Sequence, residues 1–398
     1  MIQLKKPMNQ FHIKKIFFLF TIFVLFNSCS AAPANPPSIV ESTDQPTAAI
    51  QDTPSPTATV YLPLIQNISE YKFFGIYFKE YWTEENVNTV MSQVDSYTGK
   101  KHTSVGWFID IEDPAFSLPV TYMPNNNLYR QLESLWAEGY VSFINLGSKS
   151  TAAEIAGGMR DREIGYLADY YKLWVDQGGG RKALIAPLQE MNGVYYDGTT
   201  WTTYAGDQEN FKLAYKRIQN IFLQKEISRD QVWWTFAPNG WSTDDGKHDF
   251  ELYYPGDDFV DVIGFSSYNY GFCPGVSARW DDTKAVLEEY IDRMEAMAPS
   301  KPIIIAETAT SAYYGEGLFD DEHKNQWLTD TYGYLAGRPS VVGVYYFSFG
   351  QFDGYTCDFE IIENKADGTT HFYEGYKTGL SSSKYLYLTT QDLDRLLK

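Results

Sequence analysis

The chain has 398 residues, of which 44% are hydrophobic and 21% are charged, a balance typical of globular proteins rather than of disordered chains. Asp and Glu number 51 against 32 Lys and Arg, and the net charge of −19 argues against binding to nucleic acids or other polyanions. The 3 cysteines exclude a disulfide-dense scaffold and a structural zinc cluster, and the 5 histidines are scattered without HExxH spacing.

The first 28 residues have the pattern of a secretory signal. Several lysines precede a run from 16 to 26 that is apolar apart from Thr21 and too short to span a bilayer comfortably. Residues 26–29, Phe-Asn-Ser-Cys, resemble a bacterial lipobox, although Leu25 lies four residues before Cys29 instead of the usual three. We therefore expect a bacterial cell-surface lipoprotein with Cys29 lipidated. The alternatives are cleavage near Ala31, which would give a secreted protein, and an uncleaved signal segment that anchors the protein. Each of these possibilities places the protein outside the cytoplasm.

Residues 29–66 differ in composition from the rest of the chain. They are rich in Pro, Thr, Ser and Ala and contain few large apolar side chains. Such a segment cannot bury enough surface to offset its chain entropy, so we predict a disordered tether. The remaining residues, 67–398, are predicted to form a single folded domain.

Short apolar runs, rich in β-branched and aromatic residues, predict eight strands at residues 73–78, 104–111, 140–146, 183–188, 232–237, 260–266, 302–306 and 341–347. Helical periodicity lies between several of them, at residues 164–175, 211–222, 286–297 and 328–335. This alternation favours right-handed βαβ units and predicts an α/β fold of the closed (β/α)₈ TIM-barrel type. A doubly wound open sheet is the alternative, although no GxGxxG follows the first strand.

Two of the apolar runs lead directly to a glutamate, Glu190 after the fourth and Glu307 after the seventh. A carboxylate at the end of a buried strand is costly unless it is paired or used in chemistry. The carboxyl ends of barrel strands form one mouth, so these side chains should face each other there. Two facing carboxylates are suited to cleaving a glycosidic bond. The chain also contains 31 Tyr and 10 Trp, whose rings can stack on sugars. A structural ion pair or hydrogen-bonded acid is the alternative.

The segments around these glutamates resemble family 26 glycoside hydrolases, a family of retaining (β/α)₈ enzymes best known for β-mannanases. The resemblance covers about residues 73–350 and is carried by PLQEMNGVYY at 187–196, VWWTFAPNG at 232–240, YPGDDFVDVIG at 254–264 and KPIIIAE at 301–307. It implies that Glu190 is the general acid/base and Glu307 the nucleophile. No cofactor and no metal are expected, because ligand-rich spacing is absent from the sequence.

Three positions depart from the family's pattern. Gln189 stands where a His usually precedes the acid/base, and Ala186 stands where an Arg is usual. The last strand reads YYFSF at 345–349 and lacks the usual Trp. Such neighbours contact sugar hydroxyls and tune the acid, so these changes put mannan specificity in doubt.

The resemblance implies a double-displacement mechanism with a specific proton distribution. Glu307 must be ionised to attack the anomeric carbon, and Glu190 must be protonated to donate to the leaving oxygen. Because two nearby carboxylates resist double ionisation, the less solvated one should keep its proton to higher pH, and the mechanism requires that one to be Glu190. Retention also requires a carboxyl separation of about 5–5.5 Å.

Other residues near the strand ends are candidates for substrate binding or support. Tyr268, with Tyr270 as the alternative, lies where related barrels often have a tyrosine that hydrogen-bonds the nucleophile. Gln189 is expected to orient Glu190 or contact a sugar hydroxyl, and Asn192 to support the site or serve only as a turn residue. Sugar platforms, or alternatively loop packing, are predicted for Tyr195, Tyr196, Trp201, Trp241 and Trp280.

Four further residues follow strands on the same face. Cys273 follows the sixth strand and Cys357 the eighth, so outside the cytoplasm they could form a disulfide that ties two loops, with two free thiols as the alternative. Asp110 and Glu112 end the second strand and are better interpreted as solvated loop acids than as sugar ligands. Residues 391–398 are expected to form a short helix that caps the bottom of the barrel.

The leading hypothesis is a secreted or surface-anchored glycoside hydrolase similar to endo-β-1,4-mannanases, with β-mannan as the first substrate to test. A catalytically weak or inactive glycan-binding lipoprotein on the same barrel is the alternative, motivated by Ala186 and Gln189. A serine esterase ranks low because the sequence has no GxSxG. We expect a monomer whose partner is a polysaccharide or oligosaccharide and whose only membrane contact is the N-terminal lipid.

Overall fold

The computed structural model describes residues 68–78, 84–121, 126–195, 197–243, 245–276, 279–352, 355–364 and 369–398. The predicted signal segment and tether, with Cys29, lie outside these described residues, and Tyr196 does too.

Eight parallel strands close into a barrel, which confirms the (β/α)₈ prediction and excludes the open sheet. The barrel strands are β1 (Phe73–Phe78), β2 (Ser104–Asp110), β3 (Val141–Gly147), β4 (Ala183–Pro187), β5 (Val232–Phe236), β6 (Val262–Asn269), β7 (Ile303–Thr310) and, after a hairpin of β8 (Tyr313–Gly315) and β9 (Leu318–Phe319), β10 (Val341–Ser348). Each pairs with its neighbour in the chain, and β10 pairs with β1 to close the ring.

Two strands extend further than their apolar runs. β6 ends at Asn269 and β7 at Thr310, each several residues beyond the prediction. Residues 267–269 pair in register with residues 308–310, so the backbone ladder continues after the apolar side chains stop. These extensions carry polar side chains into the mouth of the barrel.

Helices cover the outside of the barrel. They are α1 (Glu84–Thr98), α2 (Asn127–Ala137), α3 (Ala152–Ala156), α4 (Asp161–Val175), α5 (Gln208–Gln224), α6 (Thr283–Met297) and α7 (Asp321–Ala336). The four segments with predicted helical periodicity fall in α4 to α7, and the side chains of Asp207, Asp282 and Asp320 cap the last three. Between β5 and β6 the described residues form only two short 3-10 helices, Phe250–Tyr253 and Asp257–Phe259. No helix in the described ranges is both long and apolar enough to cross a bilayer.

Large rings fill the barrel interior where neighbouring strands have glycine. The ring of Tyr345 in β10 lies against Gly75 of β1, and a Cβ at position 75 would come within 2.4 Å of it. The ring of Tyr77 in β1 lies in the same way against Gly106 of β2, where a Cβ would come within 2.2 Å of the ring. Only glycine leaves room for these rings, so the packing of three adjacent strands depends on ring–glycine pairs.

The C-terminal segment closes the bottom of the barrel. After two small hairpins, β11 (Gln351–Phe352) with β12 (Tyr355–Thr356) and β13 (Ile362–Asn364) with β14 (Thr370–Phe372), the chain forms α8 (Glu374–Leu380) and α9 (Thr390–Leu396). The backbone N–H of Leu386 donates to the carbonyl of Lys72, just before β1, at 3.1 Å. Lys182, just before β4, pairs with Asp394 of α9 at 2.8 Å. The predicted C-terminal helix is therefore confirmed, and it contacts the amino ends of the strands.

Candidate active site

Glu307 lies inside the barrel wall, on β7 and not at its end. The expectation that the strand stops at this glutamate is wrong, because residues 308–310 continue to pair with β6. The residue is only 4% exposed. Its Oε1 accepts a hydrogen bond from Nδ2 of Asn145 at 2.8 Å, and its Oε2 accepts one from the hydroxyl of Tyr268 at 2.5 Å. The hydrogen bond predicted for Tyr268 is thus present, and Glu307 is held by β3 on one side and β6 on the other.

Glu190 lies in a tight turn that follows β4. Leu188 and Glu190 have φ values of 55° and 52°, in the left-handed region where residues other than glycine are uncommon. The N–H of Leu188 donates to the carbonyl of Leu146 at 2.7 Å, and that of Glu190 donates to the carbonyl of Ala237 at 2.8 Å. These bonds tie the turn to the ends of β3 and β5. Backbone held in this region costs about 1–3 kcal/mol per residue and is concentrated at functional sites.

The two carboxylates interact electrostatically. Burial raises the pKa of Glu307 well above its usual range, and the charge of Glu190 raises it further. The hydrogen bonds from Tyr268 and Asn145 act in the opposite direction, because they stabilise the carboxylate. Burial, together with the nearby charges of Glu307 and Glu190, raises the pKa of Tyr268, so its hydroxyl stays protonated and remains a donor.

The burial of the pair differs from the sequence expectation. Glu307 is the less solvated carboxyl, whereas Glu190 is half-buried. The prediction that the more buried carboxyl would be Glu190 is therefore wrong, because Glu190 lies on a rim loop and Glu307 inside the wall. In the free protein, burial favours the proton on Glu307, and the pair resists carrying two charges at once.

Asn145 is a site residue that the sequence analysis missed. It is fully buried in β3, and its Nδ2 donates both to Glu307 and to the hydroxyl of Tyr77, at 2.8 and 3.0 Å. Its Oδ1 has no hydrogen-bond partner among the described residues. A polar residue inside the apolar run VSFINLG was the available signal, because a buried amide needs partners.

Gln189 and Asp110 both lie near Gly147, the last residue of β3. A Cβ added at Gly147, the end of β3, would lie 2.9 Å from Oδ1 of Asp110 and 3.9 Å from Nε2 of Gln189. The Oε1 of Gln189 is buried without a partner in the described part of the chain. Burial, only partly offset by Lys149, raises the pKa of Asp110. Acceptors thus line this wall, an arrangement that can accept hydrogen bonds from hydroxyl groups.

Aromatic side chains occupy the loop that follows Glu190. Tyr195 is 46% exposed and Trp201 is 37% exposed, and their rings pack edge to face with centroids 5.1 Å apart. Trp201 lies against Gly193, where a Cβ would be 2.4 Å from its ring. These two exposed rings, one of them packed against Gly193, can stack on a sugar face.

The other predicted platforms are less exposed. Trp280 is half-buried and packs edge to face against Tyr314 of the β8–β9 hairpin and against His323 of α7. Trp241 is also half-buried, and its backbone N–H donates to the Oδ1 of Asn239 at 3.1 Å. The contacts of Trp280 correspond to the loop-packing alternative.

Asn192 and Glu112 form hydrogen bonds that connect or organise the loops after β3, β4 and β5. Asn192 is fully buried; it donates to the carbonyls of Asn239 and His248 and accepts from the N–H of Asn239. It therefore joins the turn after β4 to the loop after β5. Glu112 accepts from Ser148 and Ser150 and lies 3.2 Å from Arg160, so it organises the loop after β3 and is not simply a solvated acid.

Cys273 and Cys357 form a disulfide, with Cα atoms 4.9 Å apart. The bond joins the loop after β6 to the segment after β10, on the face of the barrel that carries the two glutamates. The free-thiol alternative is therefore excluded. In the described ranges, no group of three or more His, Cys, Asp and Glu side chains could hold a metal ion.

Comparisons with known proteins agree with this geometry. Residues 158–331 match the model of the family described as "Glycosyl hydrolase family 26". Over 180 residues the chain is 26% identical to Endoglucanase H of Acetivibrio thermocellus, an alignment that covers 45% of this chain and 18% of that protein. The match thus spans less than a fifth of that relative's length.

Solved structures share the fold across most of the chain. The catalytic domain of a Bacillus sp. GH26 endo-β-1,4-mannanase superposes with a TM-score of 0.58 at 14% identity, covering 83% of this chain and 90% of that one. A β-mannanase from a symbiotic protist of the termite Reticulitermes speratus gives 0.52 at 15% identity, covering 82% and 91%. At these identities the likeness shows the fold alone. Together with the match to the family model over residues 158–331, it confirms the resemblance drawn from the motifs: this chain is similar to family 26 glycoside hydrolases and shares their barrel fold.

Proposed function

We propose that the chain hydrolyses a β-linked polysaccharide internally and with retention of configuration, using Glu307 as nucleophile and Glu190 as acid/base. The observation that carries the proposal is the placement of Glu307. It is buried in the mouth, aligned by Asn145 and Tyr268, and close enough to Glu190 for their charges to interact. A buried carboxylate that is fixed by two donors and opposed by a second carboxyl is the arrangement that a retaining glycosidase needs.

The first step forms one bond and breaks another. A carboxylate oxygen of Glu307 attacks the anomeric carbon, while the bond from that carbon to the leaving oxygen breaks and Glu190 protonates that oxygen. The glycosyl-enzyme ester has no charge at Glu307. Glu190 then removes a proton from water, the water oxygen attacks the anomeric carbon, and the ester bond to Glu307 breaks.

Substrate binding supplies the proton distribution that the free site lacks. A sugar chain over the rim removes water from half-buried Glu190 and raises its cost of ionisation, whereas Glu307 is already dry. The two hydrogen bonds to Glu307 act in the same direction, because they favour its carboxylate form. The proposed mechanism requires this proton to reside on Glu190 in the complex.

The substrate is proposed as β-mannan or β-glucan. Mannan follows from the family motifs, and the structural neighbours with which the fold is shared include mannanases. Glucan is the second candidate, because the relative found by sequence is named an endoglucanase and because Ala186 and Gln189 depart from the mannanase pattern. We further propose that the enzyme acts outside the cytoplasm, tethered through Cys29.

The test is a polysaccharide panel for the protein that begins at residue 67, with product sizes resolved and the anomeric configuration of the first product read by NMR. We expect internal cleavage of β-mannan or β-glucan and a product that keeps the β configuration. Glu307→Ala and Glu190→Ala should each abolish most turnover, and Glu138→Ala, an exposed acid at the end of α2, should not.

Two rescue measurements separate the roles. Azide should restore the turnover of Glu307→Ala and yield a glycosyl azide of inverted configuration. Glu190→Ala should still release a dinitrophenol leaving group, which needs no acid. Glycan binding by wild-type protein without any released reducing sugar would instead support the non-catalytic alternative.

A further inference from the structure

Residues 357–361, which follow β12, are held in place by contacts on several sides; we call this segment the brace. Cys357 is bonded to Cys273 of the loop after β6. The N–H of Phe359 donates to the carbonyl of Phe349 at 3.1 Å, and the N–H of Ile361 donates to the hydroxyl of Ser348 at 3.1 Å. The brace is therefore fixed both to the end of β10 and to the loop after β6.

A buried lysine holds the brace on both sides of Phe359. Lys324 of α7 is fully buried, and its Nζ donates to the carbonyls of Asp358 and Glu360 at 2.6 and 2.7 Å. It also lies 3.3 Å from the carboxylate of Asp358. Burying an ammonium is costly, so a lysine whose donors go to the two carbonyls on either side of one residue indicates a tightly required backbone path. Asp358 has a φ of 53°, a further sign that the path is imposed by these contacts.

Phe359, which lies between these two carbonyls, packs against Tyr268, the residue that hydrogen-bonds to Glu307. Phe359 is fully buried, and its ring lies parallel to that of Tyr268, at an interplanar angle of 1° and a centroid distance of 5.7 Å. The ring of Phe347 contacts Tyr268 edge to face at 5.6 Å. Tyr268 in turn donates its hydroxyl to Glu307.

We propose that the brace acts as a positioning device for the hydrolytic site, in which Phe359 fixes the ring of Tyr268 so that its hydroxyl stays hydrogen-bonded to Glu307. The proposal rests on the function proposed above. Phe359 acts on the site through its ring contact with Tyr268 and is a positioning residue. Without the Phe359 ring beside it, the Tyr268 side chain can rotate about χ1. A rotation that moves its hydroxyl out of line steeply weakens the hydrogen bond to Glu307.

The groups that face Glu307 limit how its titration can change. Glu190, from the loop after β4, and Tyr268, from β6, are the titratable groups that act on it; Asn145, from β3, is a neutral donor. Tyr77 of β1 contacts the same Asn145. Lys324 and Asp358 hold the backbone on either side of Phe359, so we expect any effect that they have on Glu307 to pass through Phe359 and Tyr268.

The experiment compares Phe359→Leu with Tyr268→Phe and with the double variant, using kcat and KM over a pH series. We expect Phe359→Leu to lower kcat about 5- to 50-fold with KM changed less than twofold, and to move the acidic limb of the profile to higher pH. In the double variant, Phe359→Leu should cause little further loss, because the hydroxyl that it positions is absent. Phe265→Leu is the matched control, since this ring is buried in the same strand as Tyr268 but contacts Tyr290.

An unshifted pH profile for Phe359→Leu, or full additivity in the double variant, overturns the proposal. If Phe359→Leu does not fold, Phe359→Met, which keeps the apolar volume, takes its place. Cys273→Ser with Cys357→Ser should produce a smaller shift in the same direction. Carboxyl carbon NMR of Glu307 gives a readout that needs no turnover: its titration should move in Phe359→Leu even if wild-type protein cleaves no glycan, a result that would refute the proposed function alone.

Discussion

Removing the hydroxyl of Tyr268 tests the central electrostatic argument. Tyr268→Phe keeps the ring against Phe359 but deletes one of the two donors to Glu307. A hydrogen bond to a charged group contributes about 1.5–3 kcal/mol, which corresponds to a loss of about 10- to 150-fold in the rate of glycosyl transfer. Because the lost bond favoured the ionised carboxyl, the pKa of Glu307 should rise further.

The assay is kcat/KM on the best polysaccharide substrate at a series of pH values. The nucleophile must be ionised, so the acidic limb of the profile should move to higher pH. Tyr345→Phe is the control, because it deletes a buried hydroxyl in the same barrel that bonds to Ser104 instead of to a carboxylate. If Tyr268→Phe keeps the wild-type profile and stays within twofold of its rate, Tyr268 does not stabilise the ionised nucleophile and the reasoning fails.

Three further substitutions test burial, substrate contact and packing. Glu307→Gln should raise the free energy of unfolding at pH 7 by about 1–3 kcal/mol. Because the folded-state pKa of this carboxyl is raised, the carboxyl destabilises the fold increasingly as pH rises above about 4. Urea titrations below that pH should therefore show no increase in the free energy of unfolding for Glu307→Gln. An equal increase at pH 7 and below about pH 4 would contradict the argument. Trp201→Ala should raise KM for polysaccharide about 2- to 10-fold while leaving turnover of a small aryl glycoside unchanged; an effect no larger than that of Leu213→Ala, an exposed position on α5, would argue against a sugar platform. Gly75→Ala should lower the free energy of unfolding by about 1–3 kcal/mol or more, whereas Gly333→Ala, in α7 with open space around it, should not lower it in the same denaturation measurement; equal effects would mean that the ring contact is not limiting.

The barrel could be predicted from the sequence because each strand is buried on both faces. That burial leaves a continuous apolar run, and all eight runs became barrel strands. The apolar pattern did not predict the polar continuation of β6 and β7. Ser267 and Thr308 belong to these strands because their backbones pair with each other, and their side chains are not apolar.

The site was predictable where function left a local motif and not where it depended on distant parts of the chain. Glu190, Glu307 and Tyr268 stand at the ends of recognisable apolar runs. Asn145 was hidden within an apolar run, and its partner Glu307 is 162 positions away. The relative burial of the two glutamates depends on loop and wall geometry, which no local pattern encodes.

The ring–glycine pairs inside the barrel have a consequence for how such a protein can change over time. Gly75 and Tyr345 occupy one shared volume, so a larger residue at either position requires a smaller one at the other. Gly106 and Tyr77 share a second volume in the same way, and the hydroxyl of Tyr77 also binds Asn145 beneath the nucleophile. Homologous chains should therefore exchange these residues in linked pairs, and a swap at position 77 should be accompanied by changes in the amide that aligns Glu307.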